Sequence, residues 1–278
     1  MMHVNGANTL PSMLAALREK IAAAGSIVVG LSAGVDSSLL AKVAFMELGE
    51  RAVAVTAVSA SLSKRDRMLA AGNAREIGIR HVLLETAEMS SNDYLKNDAL
   101  RCFHCKAELS TALWSFAGRE GFSSVAIGVN ATDAGDFRPG IRAAEESGII
   151  FPLRECGIGK EDVRRLARML SLSSHDRPSN SCLSSRVEYG QRIDERTLRM
   201  VEDGEELLHS MGARDVRVRV HGGIARIEVD AGSIPLLMDE SRRREIVKRF
   251  MEIGFLYVTL DLDGFRSGSM NLKLRSSQ

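Results

Sequence analysis

The chain has 278 residues, of which 45% are hydrophobic and 26% charged, and carries a formal net charge of +1 at neutral pH. These fractions suit a water-soluble globular protein, no apolar run reaches the roughly 20 residues needed to cross a bilayer, and a charge near zero speaks against nucleic acid as a partner. The first residues lack a basic start followed by an apolar core, so a cytoplasmic location is expected, where four cysteines read as ligands, nucleophiles or core residues before disulfides.

Residues 10–24 place apolar side chains at helical spacing and predict a leading helix. Residues 26–38, SIVVGLSAGVDSS, then join a β-branched run, Ile27, Val28 and Val29, to a loop of short side chains that opens a helix. The run suits a strand buried on both faces of a parallel sheet. In the loop, Ser32, Ala33, Gly34, Val35, Asp36, Ser37 and Ser38 let N–H groups and hydroxyls close around an anion at a helix N-terminus. A Walker loop is excluded because no lysine follows the glycine, and G-x-G-x-x-G is absent. Asp36 at such a site suits Mg²⁺. Residues 52–58 predict a second strand, 64–77 a helix and 81–85 a third strand, so the sheet is expected to be parallel. Open parallel sheets bind ligands beyond the carboxyl ends of their strands, where Ser32, Thr56, Ser59 and Asn130 fall.

A polar stretch, 88–100, leads to Arg101-Cys102-Phe103-His104-Cys105-Lys106 at the start of a helix running to about residue 118. A fourth strand is expected at 124–128, a short fifth at 149–153, and a helix at 160–170 with Val163, Leu166, Ala167 and Leu170 on one face. After residue 190 the pattern changes to a helix (195–211), two alternating segments (216–220 and 224–229) around His221-Gly222-Gly223, a charged helix (241–254) and a last strand (256–262). We therefore expect an α/β domain over 1–189, a parallel sheet with helices on both faces, and a smaller α+β domain of α-β-β-α-β order over 190–278.

Two loops carry chemistry. Residues 128–140, GVNATDAGDFRPG, follow the fourth strand; Asp133 and Asp136 are candidate Mg²⁺ ligands, and Arg138 is suited to gripping a phosphate or carboxylate in bidentate fashion. The other reading is an Asx-rich surface turn. Residues 178–190, PSNSCLSSRVEYG, set Cys182 among hydroxyls with Arg186 four positions on; it is either an available thiolate or an inert buried thiol. Cys102 and Cys105 form C-x-x-C. A Cys₄ zinc site would need Cys156, which has no neighbouring ligand, whereas Cys102, Cys105 and Cys182 suit an iron–sulfur cluster with one open iron; a redox dithiol is the other reading. Arg217 and Arg219 alternate along one segment, either as a solvated face or as cations facing an anionic ligand.

Six segments together, SxGVDS, RCxxCK, GxNxxDxxDxRPG, PSxxCLxSRxxYG, RVRVH with ARIEV, and LDLDGFRSGSMN, resemble the LarE family of ATP-dependent sulfur transferases over nearly the full chain. The loop at Ser32 also resembles the SGGxDS signature of the PP-loop ATP pyrophosphatases, with Ala33 in place of its first glycine. The resemblance implies a PP-loop domain of the adenine nucleotide alpha hydrolase type and a C-terminal sulfur-insertion domain. It implies adenylation of a carboxylate of pyridinium-3,5-biscarboxylic acid mononucleotide and conversion to a thiocarboxylate, a step toward the nickel-pincer nucleotide. ATP is then expected on Ser32 to Ser38 with its adenine near Thr56 and Ser59, and Mg²⁺ on Asp36, Asp133 or Asp136. Arg138, Arg186, Arg217, Arg219 and Arg266 are expected around the phosphorylated dicarboxylate, and Glu205 resembles an acidic residue near the sulfur centre. Cys182 is either consumed and left as dehydroalanine, or shares a 4Fe–4S cluster with Cys102 and Cys105; the three-cysteine set favours the cluster. A homo-oligomer with C-terminal contacts is expected. Two rivals are a PP-loop enzyme that thiolates tRNA, against which stand the near-zero charge and the lack of an RNA-binding module, and a non-enzymatic nucleotide-binding or sulfur-carrier protein, which would have no reason to combine Asp36, Asp133, Asp136 and Cys182. An amidating PP-loop ligase, a further alternative, needs no cysteines.

Overall fold

A computed structural model of the protein describes residues 9–135, 139–177, 181–266 and 270. It divides into two compact units: Met1–Ser59, Lys64–Ala87 and Cys102–Asn180 form the first, and Ala60–Ser63, Glu88–Arg101 and Ser181–Gln278 the second.

In the first unit, α1 (Leu10–Ala22) opens on Thr9, whose hydroxyl accepts from Ser12 N, with Pro11 in the first turn where a missing N–H costs nothing. β1 (Ile27–Gly30), α2 (Val35–Leu48), β2 (Ala52–Val58), α3 (Lys64–Ile77) and β3 (Arg80–Glu85) follow in strict alternation. Beyond α4 (Asn92–Leu95, in the second unit) come α5 (Arg101–Glu120), β4 (Ser124–Ile127), α6 (Pro139–Glu146), α7 (Pro152–Glu155) and α8 (Lys160–Met169). The four strands make one parallel sheet in the order β3-β2-β1-β4, with Ile27 opposite Ala52 and Ser124. The β-branched run at its centre serves both faces. Ile27 and Val29 join α1, α2 and α8 in one apolar cluster, while Val28, with Val53 and Val55, joins Leu113, Phe116 and Ala117 of α5 in another. All three residues of the run are fully buried, which at about 25 cal/mol per Å² of apolar surface makes this strand the anchor of the unit.

Where a fifth strand is expected at 149–153, there is a single bridge, Ala126 to Ile150, after which the chain turns into α7. Pro152 has no N–H for a ladder and favours a first helical turn, and the Phe151 N–H donates to Glu155 Oε1 at 2.9 Å.

The second unit holds α4, α9 (Glu195–Ser210), β5 (Arg217–His221), β6 (Ile224–Glu228), α10 (Ile234–Met238), α11 (Glu240–Ile253) and β7 (Tyr257–Leu260). Asp194 caps α9 by accepting from Thr197 N at 2.7 Å. The sheet runs β5-β6-β7, antiparallel across the hairpin and parallel from β6 to β7. Gly222 turns the hairpin at φ +59°, the left-handed conformation that the His-Gly-Gly sequence predicts. Among the described residues no helix is long and apolar enough to cross a membrane.

Candidate functional site

At the carboxyl end of β1 the chain turns from strand to helix in four residues. Gly34 is the N-cap of α2 at φ −82° and ψ 156°, and the helix's first backbone bond runs from Ser38 N to Gly34 O at 3.2 Å. The N–H groups of Val35, Asp36 and Ser37 therefore have no acceptor within the helix, and the helix dipole adds partial positive charge where they point. The hydroxyls hold the loop in shape. Ser37 Oγ accepts from Ser32 N at 3.1 Å, Ser32 Oγ accepts from Gly34 N at 3.2 Å, and Ser38 Oγ donates to Gly34 O and accepts from Asn73 Nδ2, both at 2.9 Å. Ala33 has no positive φ, so the side chain at this position is accommodated without backbone strain.

The loop after β4 closes on this turn. A Cβ on Gly128 would stand 2.6 Å from Ser37 N, so the backbone approach itself demands glycine. Asn130, buried, donates through Nδ2 to Asp36 Oδ1 at 3.0 Å and to Asp133 Oδ2 at 2.8 Å, which draws both carboxylates to one amide. Lys160, the first residue of α8, ion-pairs with the other oxygen of Asp36, and its N–H donates to Thr132 Oγ1 at 2.9 Å. Two carboxylates beside an anion cradle are the donor set Mg²⁺ takes when phosphate oxygens complete its shell. Asp136 and Arg138 lie outside the described residues.

Thr56 is buried at the end of β2, where its hydroxyl donates to Leu31 O at 2.8 Å and lies 2.8 Å from His81 Nε2, tying the entry of the loop to the neighbouring strands. Burial pushes the His81 imidazole pKa down. Ser59, half-buried, begins the turn after β2. Lys160 and Arg177 are the residues that sequence reasoning missed. Arg177 Nη1 donates to Ala33 O at 2.6 Å, and burial lowers its pKa against the opposing pull of Asp66.

In the second unit, Cys182 is exposed at the N-cap of a short 3₁₀ turn, Leu183–Arg186. That turn is wrapped on the side chain of Arg186, which is 1% exposed. Its Nη1 donates to Cys182 O at 3.0 Å, to Ser181 Oγ and Ser185 Oγ at 3.1 Å each, and to the Ser181 carbonyl. Its other edge forks onto Glu205, 2.9 Å from Nε to Oε1 and 3.2 Å from Nη2 to Oε2, and Glu205 Oε1 also accepts from Val218 N at 3.1 Å. Arg219 pairs with the fully buried Glu228 at 2.9 Å and donates to Ser185 O at 3.1 Å. Arg217 lies over the Phe265 ring, 4.8 Å from its centroid, and desolvation, reinforced by the charge of Arg186, lowers its pKa to about 10. Arg266 is half-exposed and pairs with Asp263 at 3.0 Å.

The Cys182 turn has a second brace. Asn97, fully buried and at φ +55°, donates to Glu188 O at 2.8 Å and Gln191 O at 3.0 Å and accepts from Arg101, which also reaches Ser184 O at 3.0 Å. Tyr94 Oη meets Ser184 Oγ at 2.5 Å. Cys102 is exposed and Cys105 half-buried in the first turn of α5. They belong to the first unit and Cys182 to the second, and among the described residues no three His, Cys, Asp or Glu side chains are grouped to hold a metal ion.

The NAD synthase family model matches residues 10–100, the span of β1, the cradle and β2. An uncharacterized protein of Synechocystis (slr1717) is 42% identical across 94% of this chain and 98% of its own length. The pyridinium-3,5-bisthiocarboxylic acid mononucleotide synthase of Lactiplantibacillus plantarum is 34% identical across 91% of each chain, and an uncharacterized protein of Methanocaldococcus jannaschii (MJ0830) is 27% identical across 87% of this one. Identity sustained over that length, on a four-stranded parallel sheet, shows that this is an ATP-using enzyme and that the chain belongs to the LarE family of the PP-loop ATP pyrophosphatase superfamily.

Proposed function

We propose that the protein is an ATP-dependent sulfur transferase that converts a carboxylate of pyridinium-3,5-biscarboxylic acid mononucleotide to a thiocarboxylate. The observation that carries this reading is the Cys182 turn, an exposed thiol whose backbone is folded around a buried, carboxylate-paired arginine in a unit lined by further arginines. The relative from L. plantarum is named for the bisthiocarboxylic product of such a reaction.

A carboxylate resists nucleophiles because its leaving group would be an oxide. In the first half-reaction a substrate carboxylate oxygen attacks the α-phosphorus of ATP; a P–O bond forms, the bond to the bridging oxygen breaks, and pyrophosphate leaves with the electron pair. The cradle N–H groups and Lys160 would offset the charge on that leaving group. Asp36 and Asp133 would hold Mg²⁺, which supplies Lewis-acid stabilisation of the same charge. In the second half-reaction a sulfur nucleophile attacks the acyl carbon and AMP departs with the C–O pair. Through Cys182 the product is first a thioester, and loss of a Cα proton with cleavage of the Cβ–S bond releases thiocarboxylate and leaves dehydroalanine. Cys102, Cys105 and Cys182 are the thiols an iron–sulfur cluster would take, and no step here depends on one.

The assay mixes protein, ATP, Mg²⁺ and the dicarboxylate and follows pyrophosphate together with product mass. Release of pyrophosphate, an oxygen-to-sulfur exchange in the product and loss of both in Asp36→Ala are expected. The match to NAD synthase favours a second reading, an amidating ligase, and an amide product formed from ammonia in place of a thiocarboxylate would establish that one.

A further inference from the structure

We propose that Arg177 is a positioning residue of the ATP site, holding the Ala33–Gly34 peptide so that the loop turns N–H groups, and not a carbonyl, toward the phosphates. This peptide is gripped at both ends. Its oxygen accepts from Arg177 Nη1 at 2.6 Å, and its N–H donates to Ser32 Oγ at 3.2 Å, which in turn lies 2.9 Å from Ser37 Oγ. A peptide plane needs one such tether to prefer a direction and two opposed ones to be fixed in it. Rotation by half a turn would strip the arginine of its acceptor and aim a carbonyl dipole at the space where the cradle must receive negative charge.

Arg177 is itself presented on a braced support. Residues 171–177 form a run of turns that starts from Ser171 at φ +56°. Ser173 N and Oγ both donate to the Glu76 carboxylate, at 2.8 and 2.6 Å, and Arg177 N donates to Ser174 O at 3.1 Å. This support hangs from α3 and α8, which pack on α2 and so belong to the same rigid layer as the cradle. Burial disfavours the charge of the guanidinium and lowers its pKa, with Arg65 acting in the same direction and Asp66 and Glu76 against it. A backbone carbonyl is an acceptor that any residue could offer, so a partly buried cation aimed at this one has its meaning in the direction it imposes.

The inference concerns ATP binding and rests on the ATP-using site, not on sulfur chemistry. The experiment therefore measures the affinity of the full chain for Mg·ATP by calorimetry, without the dicarboxylate, in wild type, Arg177→Ala and Arg177→Lys. Losing a charged donor predicts a roughly tenfold or greater weakening for Arg177→Ala and a smaller one for Arg177→Lys. Added guanidinium ion at millimolar concentration should restore part of the affinity of Arg177→Ala, which a general loosening of the fold would not allow. Wild-type affinity in Arg177→Ala, or weakening that guanidinium leaves untouched while the melting temperature falls, would overturn the proposal. Arg177→Lys gives the same reading should the alanine variant fail to fold. Absence of thiocarboxylate with these affinities intact would instead sink the sulfur-transfer reading and leave this one standing.

Discussion

At the scale of single residues, the second unit concentrates charge that stability alone would not retain. Arg217 is 8% exposed, beside Arg186 and within reach of Arg219, and desolvation is the largest cause of its lowered pKa. Below about pH 10 the group is protonated both folded and unfolded, so the burial penalty is present in full. Between that value and the ordinary guanidinium range above it, the unfolded chain binds more protons than the folded one, and stability climbs with pH across the window. An uncharged side chain of similar volume should keep the packing against Phe265 and remove the penalty, so Arg217→Met is expected to raise thermal stability by roughly 1–2 kcal/mol. The same change should weaken binding of the phosphorylated substrate; a melting temperature below wild type would show that the pairings of Arg217 outweigh its desolvation. Cys182 separates the two sulfur routes in a comparable way. If its thiol is the donor, the intact mass of the protein falls by one H₂S after a turnover, and Cys102→Ala and Cys105→Ala retain full sulfur transfer. Iron in anaerobically reconstituted protein, loss of transfer in both variants and a mass unchanged by turnover would assign the three thiols to a cluster fed by external sulfide.

Secondary elements place these residues, and the cradle depends on two of them meeting at backbone distance. Gly128 closes β4 against the first turn of α2, where an added Cβ would lie within 3 Å of Ser37 N, Asp36 C and Ser37 Cα. Gly128→Ala must push the loop carrying Asn130 and Asp133 away from Asp36, at a cost on the order of 2–4 kcal/mol, and ATP affinity should fall with it. Calorimetric melting and an ATP titration check both; an unchanged melting temperature would mean that the loop yields freely. The strand, the cradle and the parallel order were legible because each is a local pattern: a β-branched run, short loop side chains, and strands alternating with helical spacing. Asp133 and Asn130 were legible for the same reason, as polar residues at the end of a strand. Lys160 and Arg177 were not, since their partners Asp36 and Ala33 stand 124 and 144 positions away and nothing near either cation marks it as aimed at the cradle. The fifth strand was over-read from its apolar run, whose Pro152 makes a helical turn instead. Thr56 was expected near the adenine from its place late in the second strand, and the bonds of its hydroxyl to Leu31 O and His81 are long-range contacts that the local pattern does not carry.

For the whole molecule, the question is what covers the second sheet. Its two edges differ. The outer side of β5 is partly taken by the bridge from Val187 to Val220 and by Glu188 N donating to Val220 O, whereas among the described residues no strand pairs with the outer side of β7. Around that edge Leu256 and Tyr257 are 67% and 65% exposed, and Val247 and Met251 on α11 and Leu262 are exposed as well. A bare strand edge with apolar neighbours is a surface that soluble proteins cover or blunt with charge, and a three-stranded sheet has little interior of its own. We propose that a second copy of the chain covers it, through strand addition at β7 and packing of the α11 face, giving a homo-oligomer. Sedimentation at micromolar concentration should then show a species heavier than one chain. Tyr257 N and Asp261 N donate to Gly223 O and Ile227 O of the β6 side, so Val258 between them turns its N–H to the outer edge. Val258→Pro would remove that outward donor and Tyr257→Lys would place a charge in the contact, and either should shift the protein toward the single chain while leaving ATP affinity close to wild type. If wild type sediments as one chain, the edge is open in solution and the apolar surface serves another partner. If it is oligomeric and both variants remain so, the contact lies elsewhere on the molecule.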